Sequence, residues 1–124
     1  MCLKVEKIKH SYKYEIVNGE KMIPVWKILR SDLVSPYYEY SWKHGLNTSD
    51  YKFRSYDSEH IYNGFHFYVC KQDALTMIEN VSYGSYYSCP AKVYKMYVRK
   101  EDIIEKGTFN YLKSLVAKKA YFPN

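Results

Sequence analysis

Chemically active side chains alternate with apolar ones near the middle of the chain. The polar positions are His66, Tyr68 and Cys70, and the apolar positions between them are Phe65, Phe67 and Val69. This alternation predicts a β-strand with one face in the core, and we expect the other face to display His66 and Tyr68 in a pocket. There the imidazole can hydrogen-bond to a phosphate or a ribose, or transfer a proton. The alternative is a half-buried histidine that is hydrogen-bonded to a backbone carbonyl.

No catalytic pair is predicted on this strand. Cys70 and His66 are four residues apart, which is roughly 13 Å in an extended strand and too far for direct proton transfer. The sequence also contains no G-x-G-x-x-G, Walker, H-E-x-x-H, G-x-S-x-G or paired C-x-x-C motif. We therefore predict no catalytic residues, no metal site and no cofactor.

Arginines are scarce and are candidates for phosphate binding. Only Arg30, Arg54 and Arg99 occur among 19 lysines and arginines. The planar guanidinium binds phosphate through two hydrogen bonds, so each arginine is a better candidate than any one lysine. Tyr37 and Tyr38 are the tyrosines that we expect to stack on or enclose a base. The alternative is that the arginines are solvated charges at strand ends.

These residues must be positioned by a small set of elements. Strands are predicted at 23–30 and 93–99, and a short strand at 12–17 ends at the Asn18-Gly19 turn with 20–22 as its hairpin partner. Apolar spacing of three and four residues predicts a helix over 71–81. Residues 112–122 favour a strand, and 31–57 form a long connection. The prediction is an α+β fold: a twisted, mostly antiparallel sheet with one main helix packed on a face and long loops at one end.

Composition limits the class of protein. The 124 residues predict one domain spanning 1–124, and the net charge of +6 with a pI near 9.1 favours phosphate-bearing partners. The three cysteines lack metal-site spacing, and no segment resembles a signal peptide or membrane span, so we expect a cytoplasmic protein without membrane contact. The 16 tyrosines suit recognition surfaces and oligomer interfaces, so we also expect a homo-oligomer.

Short motifs along most of the chain resemble a widespread group of short bacterial and phage proteins. The matching segments are Met1-Cys2-Leu3-Lys4, Val25-Trp26-Lys27-Ile28-Leu29, Ser35-Pro36-Tyr37, Gly64-Phe65-His66-Phe67-Tyr68 with Asp73-Ala74, and Val93-Tyr94-Lys95 with Asp102-Ile103-Ile104 and Gly107. The order of these segments is also similar to phage anti-defence sponges such as the Thoeris antagonists, which implies sequestration of a nucleotide immune signal. It resembles the ADP-ribosyltransferase core as well, although this chain has no clear Ser-Thr-Ser step.

The leading hypothesis is non-enzymatic binding of a small phosphorylated, nucleotide-like ligand. We expect Arg30, Arg54 and Arg99 to bind the phosphates, and Tyr37, Tyr38 and Tyr68 to stack on or enclose the base. His66 is expected to hydrogen-bond to the ligand from the floor of the pocket. Two alternatives remain open: an ADP-ribosyltransferase-like enzyme acting on NAD, and a protein or nucleic-acid interaction module. A nucleic-acid partner is possible and is not favoured.

Overall fold

A computed structural model describes residues 3–5, 12–35, 40–49, 55–57, 60–61, 64–81, 91–109 and 112–124. Tyr37, Tyr38 and Arg54 lie outside these residues. The elements in chain order are β1 (Leu3–Val5), β2 (Glu15–Val17), β3 (Glu20–Arg30), β4 (Gly45–Thr48), β5 (Ser55–Asp57), β6 (His60–Ile61), β7 (Phe65–Tyr68), α1 (Lys71–Val81), β8 (Ala91–Val98), β9 (Ile103–Phe109), β10 (Leu112–Ala117) and β11 (Lys119–Phe122), with a 3₁₀ turn at Lys100–Asp102.

The strands form one antiparallel sheet. Their order is β4-β11-β8-β3-β7-β10-β9-β1-β6-β5, and β2 pairs with β3 outside this path. The mostly antiparallel sheet with one α-helix confirms the predicted α+β class. Within the described ranges, no helix has both the length and the apolar character that a membrane span requires.

Strand β3 is the longest described strand of the sheet and is longer than predicted. It continues without a break from the hairpin partner at Glu20 to Arg30, and it pairs with β8 from Ile23 to Arg30. The hairpin with β2 turns at Asn18 and Gly19, whose φ angles of 51° and 79° are those that an Asn-Gly turn adopts. The predicted hairpin is therefore confirmed.

The described segments of 31–57 contribute to the sheet. A bridge joins Val34 to Ser41, β4 pairs with β11, and β5 pairs with β6. These segments join the predicted long connection to the sheet, through neighbours that are distant in sequence. Helix α1 and the strand character of 112–122 are confirmed, although an exposed Lys118 separates β10 from β11.

Two buried clusters occupy the two faces of the sheet. The first contains Val25, Leu29, Phe65 and Phe67 with residues of β8, β10 and β11, and the second contains Ile28 and Tyr68 with Ala74 and Met77 of α1; both include further members. All four residues of β7 are buried. The expectation that only one face of this strand belongs to the core is therefore wrong. The ring of Tyr68 is buried on one face of the strand, and the ring of Phe67 is buried on the other.

Candidate functional site

A lysine lies on the apolar face of the central strand. Lys27 is between Val25 and Leu29 on that face of β3, and both neighbours are fully buried. Its partner across the sheet on β8 is Tyr94. The side chain of Lys27 is itself half-buried, so its cationic end is in partly apolar surroundings.

Aromatic rings surround the ammonium of Lys27. Its Nζ lies 5.5 Å from the ring centroid of Phe67 and 5.9 Å from that of Trp42. Both distances are within the range at which a cation is attracted to an aromatic face. These rings compensate a part of the charge, but they offer no anionic group.

One hydrogen bond holds the ammonium in place. Lys27 Nζ donates to the backbone carbonyl oxygen of His66 at 2.9 Å. Strands β3 and β7 are paired only between Trp26 and Tyr68 among the described residues, so their ladder does not continue as far as His66. Lys27 therefore supplies a donor to a carbonyl at the place where the two strands separate.

The charge of Lys27 has no internal counter-ion among the described residues. An ammonium has three N–H donors, and His66 accepts from only one of them in the part of the chain that the structure describes. No described carboxylate forms an ion pair with it. Desolvation by burial lowers the pKa of Lys27 from 10.5 to about 8. The site is thus suited to receive an external anion.

Trp42 is fixed firmly beside Lys27. Its indole N–H donates to the hydroxyl oxygen of Ser35 at 2.7 Å. The centroid of its ring lies 4.5 Å from the ring centroid of Phe65 and 5.1 Å from that of Tyr40. Only 4% of Trp42 is exposed. It therefore forms a wall of the Lys27 site and is not available to stack on a ligand.

A buried asparagine orders the segment that carries Trp42. Asn47 Oδ1 accepts from the hydroxyl of Tyr40 at 3.0 Å and from the backbone N–H of Lys43 at 3.2 Å. Asn47 Nδ2 donates to the carbonyl oxygens of Lys43 at 2.8 Å and Gly45 at 3.1 Å. Because Asn47 is fully buried, its amide group takes the place of water as the hydrogen-bond partner of these backbone groups.

His66 and Tyr68 are not on the face that bears Lys27. His66 is 3% exposed, and its Nδ1–H donates to the carbonyl of Gly64 at 3.1 Å, which is the alternative stated above. Tyr68 is 4% exposed and belongs to the cluster that contains Ala74 and Met77. The backbone of His66 contacts Lys27, whereas its imidazole lies on the other face of β7.

The two described arginines lie at opposite ends of the pair formed by β3 and β8. Arg30 pairs with Ala91, whereas Arg99 follows Val98, the partner of Ile23. The separation of the two arginines along β3 is eight residues, or roughly 26 Å at about 3.3 Å per residue. Arg30 forms an ion pair with Asp32, and Arg99 donates two hydrogen bonds to Glu20 at 2.7 and 3.0 Å. One small ligand therefore cannot contact both arginines.

The candidate site residue that the sequence analysis missed is Lys27. Its signal is the series Val25, Lys27, Leu29, in which a lysine occupies an apolar position of a strand. Lysine is so often exposed that this position is easily taken for a solvated one. Within the described residues, no group of three His, Cys, Asp or Glu side chains is placed to hold a metal ion.

Comparison of the chain with protein-family models, with curated proteins and with solved structures gave no significant match. A function must therefore be inferred from the geometry of the chain itself.

Proposed function

We propose that the protein binds and sequesters a small phosphorylated, nucleotide-like ligand without transforming it. In this proposal it acts in the cytoplasm as a phage anti-defence sponge for a signalling nucleotide. The observation that carries the proposal is the half-buried ammonium of Lys27, which has no carboxylate partner among the described residues. A buried charge is costly unless it is paired, and a phosphate supplies the missing partner.

Phosphate oxygens match the chemistry of Lys27. They can accept hydrogen bonds from the N–H groups of Lys27 that do not donate to His66. Charge-assisted hydrogen bonds of this kind contribute about 1.5 to 3 kcal/mol each. Tyr94 is adjacent across the strands and half-buried, so its ring is the described candidate for contact with the base. Tyr37, Tyr38 and Arg54 remain proposed ligand contacts, whereas Arg30 alternates onto the other face of β3 and is paired with Asp32.

The ligand is assigned to the sheet face that bears Lys27. This assignment includes two predictions from the sequence: α1 packs across the opposite face, and the long loops lie together at one end. It places the ligand at Lys27, next to the first buried cluster. Homo-oligomerisation through tyrosine-rich surfaces is part of the same proposal.

Sequestration is favoured over turnover by the groups around Lys27. The described neighbours supply aromatic rings and a backbone carbonyl, and none of them is a carboxylate or an imidazole directed at Nζ. The ammonium of Lys27 is the described group here that could transfer a proton, and no second acid or base lies beside it among the described residues. A tightly bound, unreacted ligand is the outcome that these groups support.

A thermal-shift screen against linear and cyclic nucleotides, with NAD included, tests the proposal. A ligand at one hundred times its dissociation constant adds about 2.7 kcal/mol to the free energy of unfolding. We expect a nucleotide to stabilise the wild-type protein and the control Lys95→Met, to leave Lys27→Met unaffected, and to be recovered intact by chromatography. Consumption of NAD, or equal stabilisation of Lys27→Met, would contradict the proposal.

A further inference from the structure

We propose that the outer edge of β4 (Gly45–Thr48) binds an acidic, extended segment of a partner protein, which adds to the sheet as a further antiparallel strand. β4 is the first strand in the sheet order, and among the described residues it is paired on one side only, with β11. Three strand spacings, or about 14 Å at about 4.8 Å each, separate β4 from β3 and Lys27 along the sheet. The inference does not depend on the small ligand proposed above.

The strand register determines which backbone groups of β4 point away from β11. The N–H of Ser49 donates to the carbonyl oxygen of Lys118 at 2.8 Å, so these two opposed residues form a hydrogen-bonded pair. Hydrogen-bonded and non-hydrogen-bonded pairs alternate along antiparallel strands. Asn47 is therefore bonded to β11, whereas Leu46 and Thr48 direct their backbone N–H and C=O groups to the outer edge.

This edge has none of the features that usually protect a sheet edge. The residues of β4 include no proline and no charged side chain, and the pairing with β11 contains no bulge. No described turn or loop hydrogen bond involves Leu46 or Thr48, and both residues are exposed. The edge therefore presents two residues whose backbone groups match those of an incoming strand.

Lysines lie at both ends of this edge. Lys43 precedes β4, and Lys118 and Lys119 are opposite Ser49 and Thr48. None of the three lysines forms an ion pair within the described part of the chain. Their charge attracts carboxylates in the incoming strand, and it disfavours a second copy of this chain, whose net charge is also +6.

A row of side chains beside the edge indicates what the middle of the incoming strand contains. Leu46, Tyr121 and Tyr97 are opposed across β4, β11 and β8, so they share one face of the sheet. Leu46 is 50% exposed, and the two tyrosines are half-buried. A β-branched side chain next to Leu46 would extend this row, since such cross-strand pairs stabilise sheets. The matching segment is thus β-branched in the middle and acidic towards its ends.

A nucleic acid is less well suited to this edge. Its phosphates can accept hydrogen bonds from lysines and from outward N–H groups, but phosphate oxygens cannot donate to the outward carbonyls of Leu46 and Thr48. A peptide backbone supplies both donors and acceptors at the spacing of a strand.

Amide hydrogen exchange, measured by NMR with the blocked peptide Glu-Glu-Val-Thr-Val-Glu-Glu, tests the inference. In the protein alone, the amides of Leu46 and Thr48 should exchange rapidly, because they point outward. Saturating peptide should slow both by at least about tenfold. The amide of Asn47 is already bonded to β11, so its exchange should not change.

Fluorescence anisotropy with the labelled peptide compares matched variants. Thr48→Pro removes an outward N–H, which an edge strand tolerates, and should weaken binding at least about tenfold. Thr48→Val keeps this N–H and should bind normally. Lys118→Gln/Lys119→Gln should weaken binding about fivefold, as expected for two exposed ion pairs. The control Lys13→Gln/Lys100→Gln changes two exposed lysines elsewhere and should bind as the wild-type protein does.

Four outcomes would overturn the inference. Unchanged binding by Thr48→Pro, or an equal loss in Thr48→Val, means that the backbone of β4 does not pair with the peptide. Equally tight binding of a peptide with glutamine in place of every glutamate means that the partner is not acidic. Protection of the Leu46 and Thr48 amides that rises with protein concentration alone assigns the edge to a second copy, and protection of both by oligo(dT) assigns it to a nucleic acid.

Discussion

Two lysines on the paired strands β3 and β8 have opposite environments. Lys95 pairs across the sheet with Trp26, the residue before Lys27, and its Nζ lies 2.8 Å from a carboxylate oxygen of Glu15. The hydrogen bond that Lys95 donates to Glu15 is the largest cause that raises the pKa of Lys95. Desolvation, without any carboxylate among the described residues, lowers the pKa of Lys27 to about 8.

The difference separates charges that are paired with a carboxylate within the fold from one that has no carboxylate partner among the described residues. Lys95 and Arg99 connect β8 to the hairpin of β2 and β3 through Glu15 and Glu20, so each has its partner within the chain. Lys27 is in a more apolar place and has a single backbone acceptor in the described part of the chain. Burying such a charge is a cost to stability that binding sites commonly carry.

Replacing Trp42 with alanine should have the largest effect on stability. The ring is buried beside Lys27, so its removal leaves a cavity and should lower the free energy of unfolding by about 3 to 5 kcal/mol. Water that enters should raise the pKa of Lys27 towards its ordinary value, which makes Lys27 more like Lys95. Chemical denaturation measures the first effect, and Trp42→Phe, which keeps a ring, should lose much less.

Replacing Asn47 with aspartate should have the next largest effect. The aspartate carboxylate cannot donate to the carbonyls of Lys43 and Gly45. Its negative charge is also repelled by both carbonyl oxygens. We expect a loss of about 2 to 3 kcal/mol in the free energy of unfolding, measured in denaturant. Thr48→Asp adds the same charge at an exposed neighbouring position and should be nearly neutral. Equal losses would show that charge, rather than the buried amide, causes the effect.

Replacing Lys27 with methionine should stabilise the free protein at pH 7. The change removes an uncompensated charge and loses one hydrogen bond, for a net gain of about 1 kcal/mol. The folded wild-type protein holds fewer protons than the unfolded chain between about pH 8 and 10.5, so its stability rises across that window. The advantage of the variant should therefore shrink by pH 10. Urea denaturation at both pH values measures this, and destabilisation at pH 7 would contradict it.

Replacing Glu15 with glutamine should have the smallest effect. The pair with Lys95 is largely solvent-exposed, so its loss should lower the free energy of unfolding by at most about 0.5 kcal/mol. The loss should shrink further in 1 M salt, because screening weakens surface pairs. Denaturation at low and high salt measures the difference. A loss of several kcal/mol would mean that Lys95 is more than a solvent-screened surface charge.

Local sequence signals predicted the elements that depend on neighbouring residues. The Asn18-Gly19 turn defines the hairpin, and three-and-four spacing defines α1 over Lys71–Val81. The pairing of β4 with β11 was not predictable, because it depends on contacts between distant segments. The same is true of Asn47, whose polar side chain gives no sign that it is fully buried.

The candidate site was less predictable than the fold. Alternation correctly separated the two faces of β7. His66 and Tyr68 nevertheless have large rings that pack as readily as apolar side chains, and both are buried. The polarity of these residues therefore did not identify a solvent-exposed face. Lys27 was visible in the sequence as a lysine at an apolar strand position. Its importance became apparent only from the absence of a carboxylate partner among the described residues, which depends on the three-dimensional arrangement.

A pH titration of the Lys27 side chain by ¹³Cε NMR, with and without saturating ADP, tests the central claim most directly. The signal is assigned by its loss in Lys27→Met. The account predicts a midpoint near 8 in the free protein, which ADP moves upward because a bound phosphate favours the ammonium. A midpoint at or above 10.5 without ADP, or a midpoint that ADP leaves unchanged, would contradict it.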